Sequence, residues 1–139
     1  PETFEEFISP CYREIIPFVK ERGVGQVFLD TDGDFVAMVP SMTDCGIDGV
    51  LPVDVNAGVD IVEVRKQFPT LKFWGGFDKL ALVKDTEAIE AEFRRLLPVI
   101  RQGGCIICTD HQAAPHTPLD NYIHYVKRLR EIMAENRHA

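Results

Sequence analysis

The sequence predicts an α/β fold of parallel strands joined by helices, and two observations carry that prediction. Short apolar, β-branched runs stop four times at a cluster of acid or histidine, and segments of helical periodicity separate the runs. The runs are Gln26–Leu29 ahead of Asp30-Thr31-Asp32-Gly33-Asp34, Gly49–Val53 ahead of Asp54, Leu71–Trp74 ahead of Gly75-Gly76-Phe77-Asp78-Lys79, and Cys105–Cys108 ahead of Thr109-Asp110-His111. Strands spaced by about 10 to 15 helical residues form βα units with right-handed crossovers, so the strands are parallel. Ligands gather at the carboxyl ends of parallel strands, so the polar clusters are expected on one shared rim.

The elements follow in order. Thr3 and Glu6 have capping-box spacing, and Phe4, Phe7, Ile8, Cys11, Ile15 and Val19 then recur at helical intervals up to Gly23. That helix feeds the first strand. Phe35 to Cys45, ending at Gly46, and Val59 to Phe68, ending before Pro69, read as two shorter helices. Asp85 or Thr86 opens a long helix with Ile89, Phe93, Leu96 and Ile100 on one face, stopped by Gly103-Gly104. Thr117 as N-cap, Pro118 at the first helical position and Asp120 three residues after the cap start the last helix, whose stripe is Leu119, Tyr122, Ile123, Val126, Leu129 and Met133.

Composition places residues 1–139 in a single domain, since 139 residues at 45% apolar content are enough for one core. A net charge of -7 without a Lys/Arg stripe argues against nucleic acid and anionic membranes as partners. No apolar stretch approaches the roughly 20 residues that span a bilayer. The opening Pro1-Glu2-Thr3 is neither an initiator Met nor a basic signal region, so the chain is expected to begin inside a longer reading frame. Cys11, Cys45, Cys105 and Cys108 are scattered, which fits reduced thiols and a cytoplasmic location. Cys105 and Cys108 have the spacing of a redox or zinc pair, but residues three apart on a strand face opposite sides and cannot share a metal.

Four βα units make about half of a (β/α)8 barrel, which takes about 250 residues, or else a small open sheet. Left open, they expose two strand edges and half of a barrel interior. Self-association, or a missing half supplied by a longer enzyme, is therefore expected.

Asp30 and Asp32 project to one side of the first strand, and neighbouring strand ends bring Asp54 and His111 within reach. Asp30, Asp32 and His111 thus form a candidate metal set of the Zn or Mn type, because two carboxylates and an imidazole suit those ions better than Mg or Ca. The competing reading is a proton-transfer site in which His111 and Asp32 are the catalytic groups. Asp54, Gly76, Asp78, Lys79 and Asp110 complete the rim as contacts to a small-molecule substrate, with Lys79 positioned for an anion. Each has a structural alternative. Asp34 reads as a helix N-cap, Asp30 and Asp32-Gly33 as turn formers, and Gly75-Gly76 as a tight turn or a place where backbone approaches a ligand. His116 and His124 read as surface or helix-face residues, and His138 as part of a frayed tail.

The segments Phe28-Leu-Asp-Thr-Asp-Gly-Asp34, Gly75-Gly-Phe-Asp-Lys79, Gly103-Gly104 and Asp110-His-Gln-Ala-Ala-Pro-His-Thr-Pro-Leu-Asp-Asn121 resemble the C-terminal half of the uroporphyrinogen decarboxylase superfamily, over nearly the whole chain. The resemblance implies the C-terminal half of a TIM-barrel-like fold, with the site at the carboxyl ends of the strands. It implies decarboxylation in tetrapyrrole (porphyrin) biosynthesis or, as in the corrinoid-dependent methyltransferases of the superfamily, metal-assisted methyl transfer. By resemblance, His111 occupies the position of the decarboxylases' active-site histidine and of the methyltransferases' last zinc-binding cysteine. Where those methyltransferases carry His-x-Cys-Gly, this chain has Asp30-x-Asp32-Gly33. The decarboxylases' catalytic aspartate and substrate-gripping arginines belong to the N-terminal half, which no stretch here matches, so an isolated copy is expected to be inactive as a decarboxylase.

Two rivals complete the readings. Val27-Phe28-Leu29-Asp30-Thr31-Asp32-Gly33 also resembles the haloacid dehalogenase phosphatase signature, in which the first Asp attacks phosphorus and the second is an acid/base, although Asp34 replaces the expected Thr. The other is a non-catalytic half-barrel that binds a small molecule or assembles with itself.

Overall fold

A computed structural model of the chain describes residues 1–136, and His138 lies outside them. The strands are β1 (Phe28–Thr31), β2 (Gly49–Pro52), β3 (Lys72–Phe77) and β4 (Cys105–Thr109). They form one sheet of order β1-β2-β3-β4 in which every pair is parallel. Each crossover moves to the next position in the same direction, whereas a doubly wound sheet reverses its strand order at a switch point. The result is an arc of a (β/α) barrel, a parallel half-barrel.

The helices are α1 (Glu2–Phe7), α2 (Ser9–Lys20), α3 (Val39–Asp44), α4 (Ile61–Gln67), α5 (Ala81–Lys84), α6 (Thr86–Gln102) and α7 (Leu119–Glu135). Two local expectations are corrected, and one short helix carries no sequence signal. The opening segment is two helices, because Pro10 sits in the first turn of α2 and restarts it, and Thr3 lies inside α1, which has no side-chain cap. α7 begins after Pro118, since the Thr117 hydroxyl donates to the Ala114 carbonyl at 2.7 Å and does not cap the helix. α5, between Lys79 and Asp85, gave no periodic signal because it is a single turn. By contrast, Asp85 caps α6 by accepting from the Ala88 amide at 2.8 Å, and Asp34 accepts from the Val36 amide at 2.9 Å at the 3₁₀ turn that leads into α3.

One face of the sheet is covered by helices. Phe73 and Phe77 of β3 and Ile107 of β4 join Val39, Met42, Ile61, Val64, Phe93 and Leu96 in a single buried cluster. Phe77 lies 4.8 Å from Phe93 and 4.7 Å from Tyr125 between ring centroids, which clamps α6 and α7 to β3. On the other face, Phe28 meets Trp74 edge-on at 6.4 Å, Trp74 stays 44% exposed and Ile106 54% exposed. That face would form the interior of a closed barrel. Along the β1 edge, Tyr12, Ile15, Val19, Val27, Phe28 and Leu29 line an apolar groove of about 420 Å³. Among the described residues, no helix is long and apolar enough to cross a membrane.

Candidate functional site

The rim is organised around Asp110, which follows β4 directly and is fully buried. Its Oδ1 accepts from the Lys79 amide at 3.2 Å, and its Oδ2 accepts from the Val55 amide at 3.2 Å and from Asn56 Nδ2 at 3.3 Å. A buried carboxylate is costly unless fully hydrogen-bonded, and these donors come from the segments after β2 and β3. One side chain thereby ties three strand ends together.

Lys79 Nζ lies 3.6 Å from Asp110 Oδ2 and 3.3 Å from His111 Nδ1, and His111 Nε2 lies 3.2 Å from Asp32 Oδ1. An ammonium group can only donate, so Nδ1 accepts from Lys79 and Nε2 carries the proton that it donates to Asp32. This tautomer is assigned from the network. Asp32, His111, Lys79 and Asp110 form a continuous chain of titratable groups that runs from solvent, where the Asp32 side chain is 79% exposed, to a buried anchor.

The sequence-predicted residues divide as follows. Asp32, Asp54, Lys79, Asp110 and His111 meet at the rim, where Asp54, Asp110 and His111 present ligand atoms within 4.8 Å of one another. Asp54 also accepts from the Asn56 amide at 3.1 Å and caps the 3₁₀ turn Val55–Ala57. Asp78 Oδ1 accepts from the Leu80 amide at 2.9 Å and from Asn56 Nδ2 at 3.4 Å, a turn-forming role at the edge of the site. Lys79 points inward to Asp110 and His111. Gly76 has φ +81°, and a side chain there would press on Ile61 at 2.9 Å, so its smallness serves packing against α4. Asp30 is corrected. It lies on β1 in register with Leu51, two residues and so about 6.6 Å below Asp32, on the open sheet face. His116 is exposed, and His124 of α7 contacts Glu90 of α6 at 2.9 Å, both away from the rim.

Sequence reasoning missed three supporting residues. Asn56 bridges Asp78 and Asp110, and only its position two residues beyond Asp54 hinted at this. Behind the rim, Arg95 donates to the Gly76 carbonyl at 2.9 Å and pairs with Glu92 at 2.6 Å and with Asp60 at 2.5 Å. Glu92 Oε1 accepts from the Asp78 amide at 2.9 Å. Burial lowers the Arg95 guanidinium's basicity, but the Glu92 and Asp60 carboxylates outweigh it and the net shift is upward, so Arg95 is a permanent cation. The signal available was Glu92 and Arg95 three apart on α6, a spacing that also occurs on ordinary solvated helix faces.

Residues 1–132 match the family model described as uroporphyrinogen decarboxylase (URO-D). The chain belongs to the uroporphyrinogen decarboxylase family. No match was found among curated proteins. Membership in the uroporphyrinogen decarboxylase family, with a sheet that never reverses its strand order, overturns the haloacid dehalogenase-like reading, and Asp34 is occupied as a turn acceptor.

The set Asp30, Asp32 and His111 is not assembled for a metal, since the cluster of ligand atoms around His111 is completed by Asp54 and Asp110. That cluster does not fit a resident divalent ion either. The Lys79 ammonium sits against both Asp110 and His111, so a cation already stands beside two of the three ligands. The thiols offer no substitute. Burial pushes Cys105 and Cys108 above the ordinary thiol range, and Cys105 Sγ faces the Val99 carbonyl of α6 at 3.7 Å, on the helix side of the sheet.

Proposed function

We propose that residues 1–139 are the C-terminal half of a uroporphyrinogen decarboxylase-like barrel and that their rim supplies protons for decarboxylation of a carboxylated tetrapyrrole. The observation that supports this best is the chain Asp32–His111–Lys79–Asp110, in which the imidazole is held between an ammonium donor at Nδ1 and an exposed carboxylate at Nε2. In the reaction, the bond between the substrate carbon and its carboxylate breaks, carbon dioxide leaves, and the electron pair stays on that carbon. His111 Nε2–H then protonates the carbon while Lys79 passes a proton to Nδ1, and Lys79 is restored from water. Asp32 holds the Nε2 tautomer before the substrate enters.

The described rim carries one cation among many carboxylates, whereas a polycarboxylate substrate is best held by arginine forks. In this reading the arginines come from an N-terminal half-barrel, which also covers the face of Phe28, Trp74 and Ile106. If a second copy covers that face instead, the protein is a monodisperse dimer burying more than about 2,000 Å². The reduced thiols and a cytoplasmic location belong to the same proposal.

The test is carbon dioxide release from a carboxylated porphyrinogen by the chain joined to an N-terminal half-barrel of the family. His111→Ala is expected to lower turnover by about 100-fold or more, and Asp32→Asn to lower it less, with circular dichroism unchanged in both. Wild-type turnover in His111→Ala would refute the reading.

A further inference from the structure

We infer that Lys79 is the resident cation of this rim and that its ammonium closes a latent divalent-metal site formed by Asp54, Asp110 and His111. This rests on the proton-transfer reading and sharpens it, because an ammonium ion beside Nδ1 can pass a proton directly to the imidazole, whereas a metal bound at Nδ1 would occupy the lone pair that receives it.

Three features argue for it. Asp54, Asp110 and His111 bring two carboxylates and an imidazole within 4.8 Å of one another, a donor set and spacing suited to zinc or manganese. Such crowding is unfavourable unless a cation sits among the carboxylates. Lys79 Nζ supplies that charge beside two of the three ligands, 3.6 Å from Asp110 Oδ2 and 3.3 Å from His111 Nδ1. The lysine is also fixed by its backbone, for its amide donates to Asp110 Oδ1 at 3.2 Å while the side chain returns to Oδ2. Entry of a divalent ion would have to displace a charge anchored at both ends, and like charges a few ångströms apart repel strongly. The anchor that holds Asp110 is independent of the ammonium: Val55 N, Asn56 Nδ2 and Lys79 N remain when the side chain is shortened.

The experiment is a calorimetric titration of chelator-treated chain with zinc chloride, alongside imidazole NMR of His111. Wild type is expected to show no His111-dependent uptake. Lys79→Ala is expected to bind one zinc with affinity raised by about a hundredfold or more, from removal of one unit charge near the ion. Lys79→Arg should stay closed, and Lys79→Ala/His111→Ala should lose the new site. Lys79→Ser provides a second open variant if the alanine form fails to fold, which circular dichroism would show. Stoichiometric zinc in wild type that disappears in His111→Ala overturns the inference, as does a folded Lys79→Ala or Lys79→Ser that takes up no zinc. The proton-transfer reading is tested separately, by turnover in His111→Ala, so failure of the one can be told from failure of the other.

Discussion

Asp110→Ala is expected to be among the most damaging single changes in the chain. The carboxylate is fully buried, accepts from Lys79 N, Val55 N and Asn56 Nδ2, and faces Lys79 Nζ at 3.6 Å. Hydrogen bonds to a charged group contribute about 1.5–3 kcal/mol each, and removing one partner of a buried ion pair costs about 3–5 kcal/mol. The same atoms serve both roles, so the terms overlap and the expected loss is about 3–5 kcal/mol, a large part of the roughly 5–15 kcal/mol that holds a domain folded. Asp110→Asn keeps one oxygen but turns an amide toward a donor, and its loss should be about 2 kcal/mol. Urea unfolding followed by far-ultraviolet circular dichroism measures both. In a Lys79→Met background the loss from Asp110→Ala should shrink by about 1–3 kcal/mol, because the stranded ammonium is gone. An Asp110→Ala loss under about 1 kcal/mol, or no coupling to Lys79, would mean that the carboxylate is not the fastener of the rim.

Three further outcomes are expected. Gly75→Ala should prevent folding or destabilise by more than about 3 kcal/mol, since φ is +122° and a Cβ would overlap the Pro52 carbonyl oxygen, whereas Gly33→Ala, at φ +74° with nothing near, should lose only about 1 kcal/mol; similar melting temperatures would contradict the contrast. Arg95→Met should destabilise by about 2–4 kcal/mol through loss of the Gly76 link and the stranding of Glu92 and Asp60, and hydrogen exchange at the Asp78 amide should accelerate more than at β1. Asp48→Asn should weaken the protein at neutral pH by about 1–3 kcal/mol, as the carboxylate accepts from the Val27 amide at 2.8 Å and pairs with Lys20 at 2.9 Å. Burial alone would raise the Asp48 carboxyl, but that amide and the Lys20 and Lys72 charges outweigh it and hold the group below its ordinary 3.8. A carboxyl depressed on folding stabilises above its unfolded value and loses that contribution as pH falls through the folded one, so the wild-type advantage should vanish in acid below 3.8 and persist at pH 7.

The strands and the longer helices were legible because their signals are local. Val50, Phe73 and Ile107 are buried in runs of β-branched and aromatic residues, and Ile89, Phe93, Leu96 and Ile100 recur at helical spacing behind the Asp85 cap. Rim residues were legible wherever the fold class alone fixes their height, since Asp32, Asp54 and His111 stand just past strand ends in a parallel sheet. Two kinds of information were not local. Lys79 looks in sequence like a free cation at a mouth, and only the crossover from β3 to β4 brings Asp110 beneath it. Gly75-Gly76 looks like an opening for a ligand, and only the packing of Pro52 and Ile61 shows that the space is already filled.

That second case bears on how the site is built. The strand end from Gly75 to Asp78 is pressed by Pro52 and Ile61 at the glycines and held from behind by Arg95 and Glu92, while Asn56 and Asp110 hold Asp78 and Lys79 in front. A backbone segment fixed on both sides presents its next residue with little freedom, and Lys79 is that residue. The ammonium therefore reaches His111 because the backbone beneath it cannot move, which places much of the rim's chemistry under the control of residues that never touch a ligand.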